Sequence, residues 1–113
     1  MDDEIKKYLF DIHLSINSIK EYVPEYIEYS DYSANKMMKR AVEREFEIIG
    51  EALNNILKIL PTISIANSRR IVDFRNHLIH GYSTISDMVV WGIIKKDLII
   101  LESEISSLLE NHS

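Results

Sequence analysis

This chain of 113 residues, with 46% hydrophobic and 27% charged residues and only 3 Gly and 2 Pro, has the composition of one helical, globular domain spanning 1–113. It contains no cysteine, which excludes disulfides and thiolate metal sites. Because its N-terminus is acidic and no apolar run reaches about 20 residues, we expect a cytoplasmic protein without a signal peptide or membrane span. The net charge of −5 argues against non-specific coating of nucleic acid, because phosphate contacts require Lys and Arg.

The first predicted helix carries apolar residues at alternating spacings of four and three from Ile5 to Val23. This spacing lays one apolar stripe along the helix. Asp2 or Asp3 is placed to cap its start, and Pro24 is expected to end it.

A second, longer helix follows a connection rich in acids and tyrosines, PEYIEYSDYSA, which is expected to be partly helical. The apolar positions of this helix run from Met38 to Leu60, and Pro61 closes it. Gly50 lies inside it, where glycine costs about 1 kcal/mol against alanine. The glycine therefore predicts either a close contact with another helix or a mild bend.

A third, shorter helix is predicted from about Asn67 onward. Ile71, Phe74 and Leu78 form its inward face, and Gly81 is its expected left-handed C-terminal residue.

The fourth helix is predicted to begin after Ser86 as N-cap, with Asp87 in its first turn. Its inward stripe consists of Trp91, Ile94, Leu98, Leu101, Ile105 and Leu108, widened by Val90, Ile93 and Ile100. A helix that is apolar on more than one flank in so small a protein is either central or covered by another chain. We therefore predict an all-α fold, an antiparallel bundle of four main helices, that forms a homodimer.

Polar side chains cluster at the end of the third helix, in the stretch FRNHLIHGY. Arg supplies a permanent forked cation suited to phosphate oxygens, and His exchanges protons near neutral pH. The pair Arg75 and His80 could cleave RNA without a metal: His80 would take the proton of a ribose 2′-hydroxyl, and Arg75 would stabilise charge on the phosphoryl oxygens. Asn76 could orient the histidine or hold a phosphate.

The helix places these two positions far apart around its axis. Residues 75 and 80 diverge by roughly 140° on an ideal helix. They converge if the last turn unwinds at Gly81, or if two copies of the segment face each other across a two-fold axis. A structural role stays open, because an Arg and a His late in a helix could form a salt bridge and complement the helix dipole.

The neighbouring residues also have two interpretations. His77 and His80, three apart, could share a metal ion, but no further ligands accompany them, so we expect neither a metal nor a cofactor. Tyr82 would ordinarily be a packing residue with its hydroxyl at the surface.

Positive charge is concentrated in the middle of the chain, since residues 32–75 hold 8 Lys and Arg against 5 acidic residues. The basic group on the second helix consists of Lys36, Lys39, Arg40 and Arg44. This group could bind RNA or could simply form the solvated face of the helix.

The stretch RNHLIHGY resembles the motif of the HEPN superfamily, in the extended form with a Tyr two residues after the His that is typical of HepT-like (DUF86) toxins. REFEIIGEAL (Arg44 to Leu53) is similar to the family's long second helix, and VVWGIIKKDL (Val89 to Leu98) to the helix after the motif. The resemblance implies a helical bundle that dimerises with both motifs lining a shared cleft.

The resemblance also implies a ribonuclease toxin paired with a minimal nucleotidyltransferase (MNT) antitoxin. Arg75 and His80 match the family's catalytic pair, and Asn76 matches the polar residue beside the Arg. Tyr82 matches the tyrosine that the partner modifies with AMP to silence the toxin. The added bulk and negative charge would lie two residues from His80, in the path of an RNA backbone.

Two alternatives belong to other functional classes. One is a non-catalytic helical dimer that binds a nucleotidyltransferase partner and a nucleotide or RNA, with Arg75 as an anion clamp. The other is a purely structural dimer. Cleavage of RNA by the pure protein would distinguish the ribonuclease from both.

Overall fold

A computed structural model describes residues 2–66, 68–80 and 86–111, with the backbone alone described at position 80. Every regular element in these ranges is helical, which confirms the predicted all-α class. The helices are α1 (Asp3–Tyr22), α2 (Tyr29–Ala34), α3 (Lys36–Ile59), α4 (Ser68–His80), α5 (Asp87–Gly92) and α6 (Leu98–Asn111), and a π-helical turn (Ile93–Asp97) joins α5 to α6. The four-helix bundle and the homodimer stay predictions.

Helix α1 forms as its apolar spacing predicts. The Asp2 carboxylate accepts a hydrogen bond from the backbone N–H of Glu4 at 2.7 Å, which caps the first turn. The helix ends at Tyr22, two residues before Pro24. The predicted stripe is buried throughout, at Ile5, Leu9, Ile12, Ile16, Ile19 and Val23.

Helix α3 is the longest of the described helices and carries more buried hydrophobic residues than any other. Its N-cap is Asn35, whose side chain accepts from the backbone N–H of Met38 at 2.9 Å. The central positions of the predicted stripe are buried, namely Val42, Phe46, Ile49, Leu53 and Ile56. Leu60 was expected to face inward, but it is 36% exposed. Because α3 ends at Ile59, Leu60 no longer lies on the inward face of the helix.

The sequence predicts a single fourth helix, but the structure divides this segment into α5, the π-helical turn and α6. Ser86 caps α5 as expected, accepting from the backbone N–H of Met88 at 3.2 Å. After Gly92 the chain widens into the π-helical turn, in which the N–H of Leu98 bonds to the carbonyl of Ile93. Ile100, expected to widen the inward face, is instead 39% exposed, because α6 buries only one face.

The helices pack around one hydrophobic core, with α3 in contact with α1, α2 and α4. Helix α1 contacts α3 and α6, α4 contacts α3, and α2 contacts α3 and α5. Phe46 of α3 and Phe74 of α4 meet edge to face with ring centroids 5.3 Å apart. This contact holds α4, which carries Arg75, against the middle of α3.

Helix α2 is anchored by Tyr32, which is fully buried and lies 5.6 Å from the ring of Trp91. The Tyr32 hydroxyl has no hydrogen-bond partner among the described residues. Burial raises the pKa of this hydroxyl above its ordinary value, and the nearby carboxylates of Glu43 and Asp87 raise it further.

Polar contacts join the helices at the edges of the core. Lys20 of α1 pairs with Glu102 of α6 at 2.8 Å, and Lys39 of α3 pairs with Asp87 of α5 at 3.2 Å. Among the residues described, no helix is both long enough and apolar enough to span a bilayer.

Candidate functional site

Arg75 lies on α4 at the point where this helix comes closest to α3. A Cβ atom added to the buried Gly50 would overlap the Cβ and Cγ atoms of Arg75 and would lie 3.3 Å from its Cδ. The absence of a side chain at Gly50 therefore makes room for the stem of Arg75. Of the two alternatives for this glycine, the structure shows the close helix contact.

The guanidinium of Arg75 is held by two side chains. Its Nη1 donates a hydrogen bond to Oδ1 of Asn76 at 3.0 Å, and its Nη2 forms an ion pair with Oε2 of Glu51 on α3. Nε is buried and has no hydrogen-bond partner among the described residues. The Arg75 side chain is 21% exposed, so its cation sits at the edge of the protein with a defined position.

Arg75 opens onto a groove of about 360 Å³ between α1, α3 and α4. The lining residues are Lys7, Tyr8, Asp11, Arg44, Glu47, Ile48, Glu51, Ala52, Asn55 and Arg75. Each of the three cations in this set is paired with one carboxylate. Lys7 contacts Asp11 at 3.3 Å, Arg44 contacts Glu47 at 3.3 Å, and Arg75 contacts Glu51. The groove is thus lined by three cations and three carboxylates, whose formal charges balance.

The second member of the predicted pair, His80, is the last residue of α4. Its side chain lies outside the described part of the structure, as do Gly81 and Tyr82. Because α4 is helical through position 80, residues 75 and 80 are separated by roughly 140° around the axis. The chain is not unwound up to His80, and the predicted unwinding at Gly81 lies outside the described residues. His77, on the same helix, is exposed.

The predicted basic group spreads over more than one surface of α3. Arg44 lines the groove beside Arg75, and Arg40, 72% exposed, pairs with Glu43 within the helix. Lys39 is engaged with Asp87 instead, and Lys36 is exposed at the start of the helix. The structure therefore brings one member of the group, Arg44, together with Arg75.

A larger groove of about 630 Å³ lies between α1 and the π-helical turn with α6. Its lining is mainly aliphatic, including Ile16, Ile94 and Leu98, and contains none of the predicted site residues. Within the described ranges no group of three or more His, Asp or Glu side chains is arranged to hold a metal ion. Of these two grooves, the one at Arg75 is the candidate site, because it contains a residue of the motif.

The motif alone did not identify Glu51 or Lys7 as part of the site. Glu51 directly follows Gly50, and its position beside a glycine in mid-helix was the available signal. Lys7 is separated from the motif by most of the chain, and only the packing of α1 on α3 brings it to the groove.

Comparison with known proteins gives a consistent result. The family model described as "Ribonuclease HepT-like" matches residues 12–108. The chain is 34% identical over 106 residues to "Putative RNase MJ1380" of Methanocaldococcus jannaschii, covering 90% of this chain and 94% of that protein. It is 35% identical over 107 residues to "Probable ribonuclease HepT" of Thermococcus cleftensis, covering 91% and 94%.

A further relative, also from Methanocaldococcus jannaschii, joins two activities in its name. This protein, "Gamma-glutamylcyclotransferase and putative RNase MJ0434", is 32% identical over 111 residues, which cover 97% of this chain and 50% of that protein. No solved structure matches the chain significantly.

Proposed function

This chain belongs to the HepT-like ribonuclease family, and from that premise we propose that it is a metal-independent endoribonuclease, the toxin of a HEPN/MNT toxin-antitoxin pair. The observation that carries the proposal is the placement of Arg75. Its stem packs on Gly50, and its guanidinium is held at the edge of a groove by Asn76 and Glu51, on the helix that ends at His80. A cation fixed in this way is suited to a phosphoryl group whose charge increases during reaction.

In the proposed reaction, neutral His80 removes the proton of a ribose 2′-hydroxyl, and the oxygen attacks the adjacent phosphorus. The bond from phosphorus to the 5′-oxygen breaks, and that oxygen takes a proton from water or from a protonated histidine. The products are a 2′,3′-cyclic phosphate and a 5′-hydroxyl. Arg75 stabilises the added charge on the phosphoryl oxygens. DNA lacks the 2′-hydroxyl and is not cleaved.

Asn76 supports this reaction by holding Arg75. Its Oδ1 accepts from Nη1 of the arginine, so the amide group fixes the plane of the guanidinium. The amide nitrogen of Asn76 is left as a donor for a phosphate oxygen. Lys36, Lys39, Arg40 and Arg44 are proposed to contact the RNA backbone, with Arg44 nearest to the reacting phosphate because it lines the same groove.

The proposed active form is a homodimer, in which one helical domain per chain contributes to a shared cleft. The separation of roughly 140° between positions 75 and 80 on α4 supports this arrangement. Within one chain the two positions point apart, whereas a two-fold axis beside α4 would bring Arg75 of one protomer toward His80 of its partner. Each site then needs both chains.

The partner proposed for control is the cognate MNT nucleotidyltransferase, which transfers AMP to Tyr82. Tyr82 follows His80 by two residues, so AMP there would place negative charge next to the proton-transfer group and repel an RNA backbone. The modification would silence cleavage without unfolding the protein.

The proposal is tested by incubating the pure protein with RNA in the presence of EDTA. We expect cleavage to fragments with a cyclic phosphate, and no cleavage by Arg75→Ala or His80→Ala. The matched controls are Arg69→Ala and His77→Ala, which change exposed residues of the same type on the same helix. Cleavage that survives in both site variants overturns the mechanism. Intact RNA together with tight binding of the nucleotidyltransferase identifies the non-catalytic dimer instead.

A further inference from the structure

The three ion pairs around the groove are not equivalent. Lys7 with Asp11 and Arg44 with Glu47 are pairs within one helix, and their cations are 71% and 69% exposed. Such pairs are worth little, because water and salt screen them. Arg75 and Glu51 are 24 residues apart, join α4 to α3, and involve a cation that is only 21% exposed. The charge of Glu51 therefore acts on Arg75 more strongly than the other carboxylates act on their cations.

The position of Arg75 does not depend on Glu51 alone. The arginine stem packs on Gly50, and the guanidinium is bonded to Asn76. Glu51 itself is 52% exposed, so its carboxylate can leave Arg75 without unpacking the core. Glu51 thus mainly offsets the positive charge of the guanidinium, because Gly50 and Asn76 keep the arginine in place without it.

We propose that Glu51 is a displaceable counter-ion of the Arg75 site, and that RNA binds by exchanging a backbone phosphate for the Glu51 carboxylate. This inference rests on the proposed function, since it takes Arg75 as the phosphate-binding residue. Carboxylate and phosphate oxygens compete for the same N–H donors of a guanidinium. A carboxylate left in place would also repel the incoming phosphate.

The groove offers the displaced carboxylate a new environment. Lys7 and Arg44 line the same groove as Glu51, and both are exposed cations that can reorient. Glu51 would then share Lys7 or Arg44 with the carboxylate already paired there, while a phosphate occupies Arg75. An anion with one charge gains little from this exchange, whereas an RNA strand gains further contacts from its neighbouring phosphates. Glu51 thereby selects polyanionic strands over single nucleotides.

The test measures binding of a labelled RNA oligonucleotide with 2′-O-methyl riboses, which cannot be cleaved because the attacking hydroxyl is blocked. Dissociation constants are compared for the wild type, Glu51→Gln and Glu47→Gln at low salt. Gln preserves the shape of the side chain, and Glu47→Gln is the matched control because it removes one negative charge from the same groove. We expect Glu51→Gln to tighten binding by about tenfold and Glu47→Gln by less than about twofold.

The inference is overturned if Glu51→Gln binds the RNA with the same dissociation constant as the wild type, or with a larger one than Glu47→Gln. In an Arg75→Ala background, Glu51→Gln should have no greater effect than Glu47→Gln, because the counter-ion acts through the arginine. If thermal unfolding shows that Glu51→Gln does not fold, Glu51→Asp takes its place. The shorter carboxylate should tighten binding by about threefold, and no tightening again overturns the inference.

Cleavage of unmodified RNA separates this inference from the proposed function. If the wild type cleaves RNA and Glu51→Gln does not bind more tightly, only the counter-ion is wrong. If the wild type does not cleave and Glu51→Gln does bind more tightly, the ribonuclease activity is wrong and the phosphate-binding site stands.

Discussion

Gly50 of α3 and Arg75 of α4 occupy complementary space, because the arginine stem fills the volume that a side chain on the glycine would take. Glycine is unfavourable inside a helix, so Gly50 lowers the intrinsic stability of α3 relative to alanine. The cost is offset by the close approach of the two helices, which sets where the guanidinium lies.

Gly50→Ala should therefore damage both stability and activity. The added methyl would displace Arg75 or separate the helices, and we expect a loss of about 1–3 kcal/mol in the free energy of unfolding. RNA cleavage should fall at least about tenfold, because the guanidinium moves. Urea unfolding and the cleavage assay measure the two effects.

Gly92→Ala is the matched control for this substitution. Gly92 is also helical, but a Cβ there would meet no atom within 4 Å among the described residues. Alanine at this position should stabilise the protein by about 0.5–1 kcal/mol through helix propensity and leave cleavage unchanged. A Gly50→Ala protein that is as stable and as active as Gly92→Ala would contradict the close packing.

Asn76→Ala should weaken catalysis through Arg75. Loss of the acceptor for Nη1 leaves the guanidinium held by Glu51 alone, and we expect kcat/KM to fall about tenfold with little change in the free energy of unfolding. His77→Ala, an adjacent substitution at an exposed position, should leave the kinetics unchanged. Equal kinetics for Asn76→Ala and the wild type would show that the arginine needs no support from this amide.

The buried Tyr32 should make the protein sensitive to alkaline pH. In the unfolded chain Tyr32 ionises near its ordinary pKa of 10, but burial raises the pKa in the folded protein, so the proton is retained there to higher pH. The unfolded state then binds fewer protons above about pH 10, and stability falls as the pH rises. This tyrosine contributes a loss of about 1.4 kcal/mol per pH unit.

Tyr32→Phe should remove that part of the pH dependence. Near pH 7 we expect its stability to equal or exceed that of the wild type, because the hydroxyl has no hydrogen-bond partner among the described residues. Tyr26→Phe serves as the control, since Tyr26 is 85% exposed. Urea unfolding between pH 7 and pH 11 gives both comparisons, and an unchanged alkaline slope in Tyr32→Phe would contradict the assignment.

The π-helical turn is tied to α4 by one ion pair. Asp97 in this turn is 4% exposed and lies 3.8 Å from the guanidinium of Arg70, which is 63% exposed. Arg70→Ala should lower the free energy of unfolding by about 1–3 kcal/mol, because it leaves a buried carboxylate unpaired. Arg69→Ala changes the exposed neighbour and should have little effect.

The double variant Arg70→Ala/Asp97→Asn separates charge burial from packing. Since it removes the unpaired charge, part of the lost stability should return. If the double variant is no more stable than Arg70→Ala, the loss comes from the contacts of the arginine stem rather than from the Asp97 charge.

Tyr82→Phe tests the proposed control by the partner. The variant should still cleave RNA and inhibit growth, but co-expression of the cognate nucleotidyltransferase should no longer neutralise it, because phenylalanine has no hydroxyl to receive AMP. Tyr26→Phe again provides the control and should be neutralised like the wild type. Mass spectrometry of the co-expressed proteins checks the modification, and AMP found on Tyr82→Phe would place the acceptor elsewhere.

Local patterns in the sequence were sufficient for α1, for most of α3 and for the start of α5. The apolar spacing from Ile5 to Val23, a cap at Asp2 or Asp3, the cap at Ser86 and the proline after Leu60 act within a few residues, so they can be recognised without the fold. The motif around Arg75 was recognisable for the same reason. The family assignment follows from this local information.

The charged partners of Arg75 from other helices were decided by tertiary structure. Glu51 is 24 residues away in sequence, and Lys7 comes from the first helix, so their approach depends on how α1 and α4 pack on α3. The π-helical turn that places Asp97 next to Arg70 also follows from packing, because no local residue pattern distinguishes it from an ordinary helical turn. The sequence determined which residue carries the positive charge, and the packing of α4 on α3 determined that the Glu51 carboxylate is paired with it.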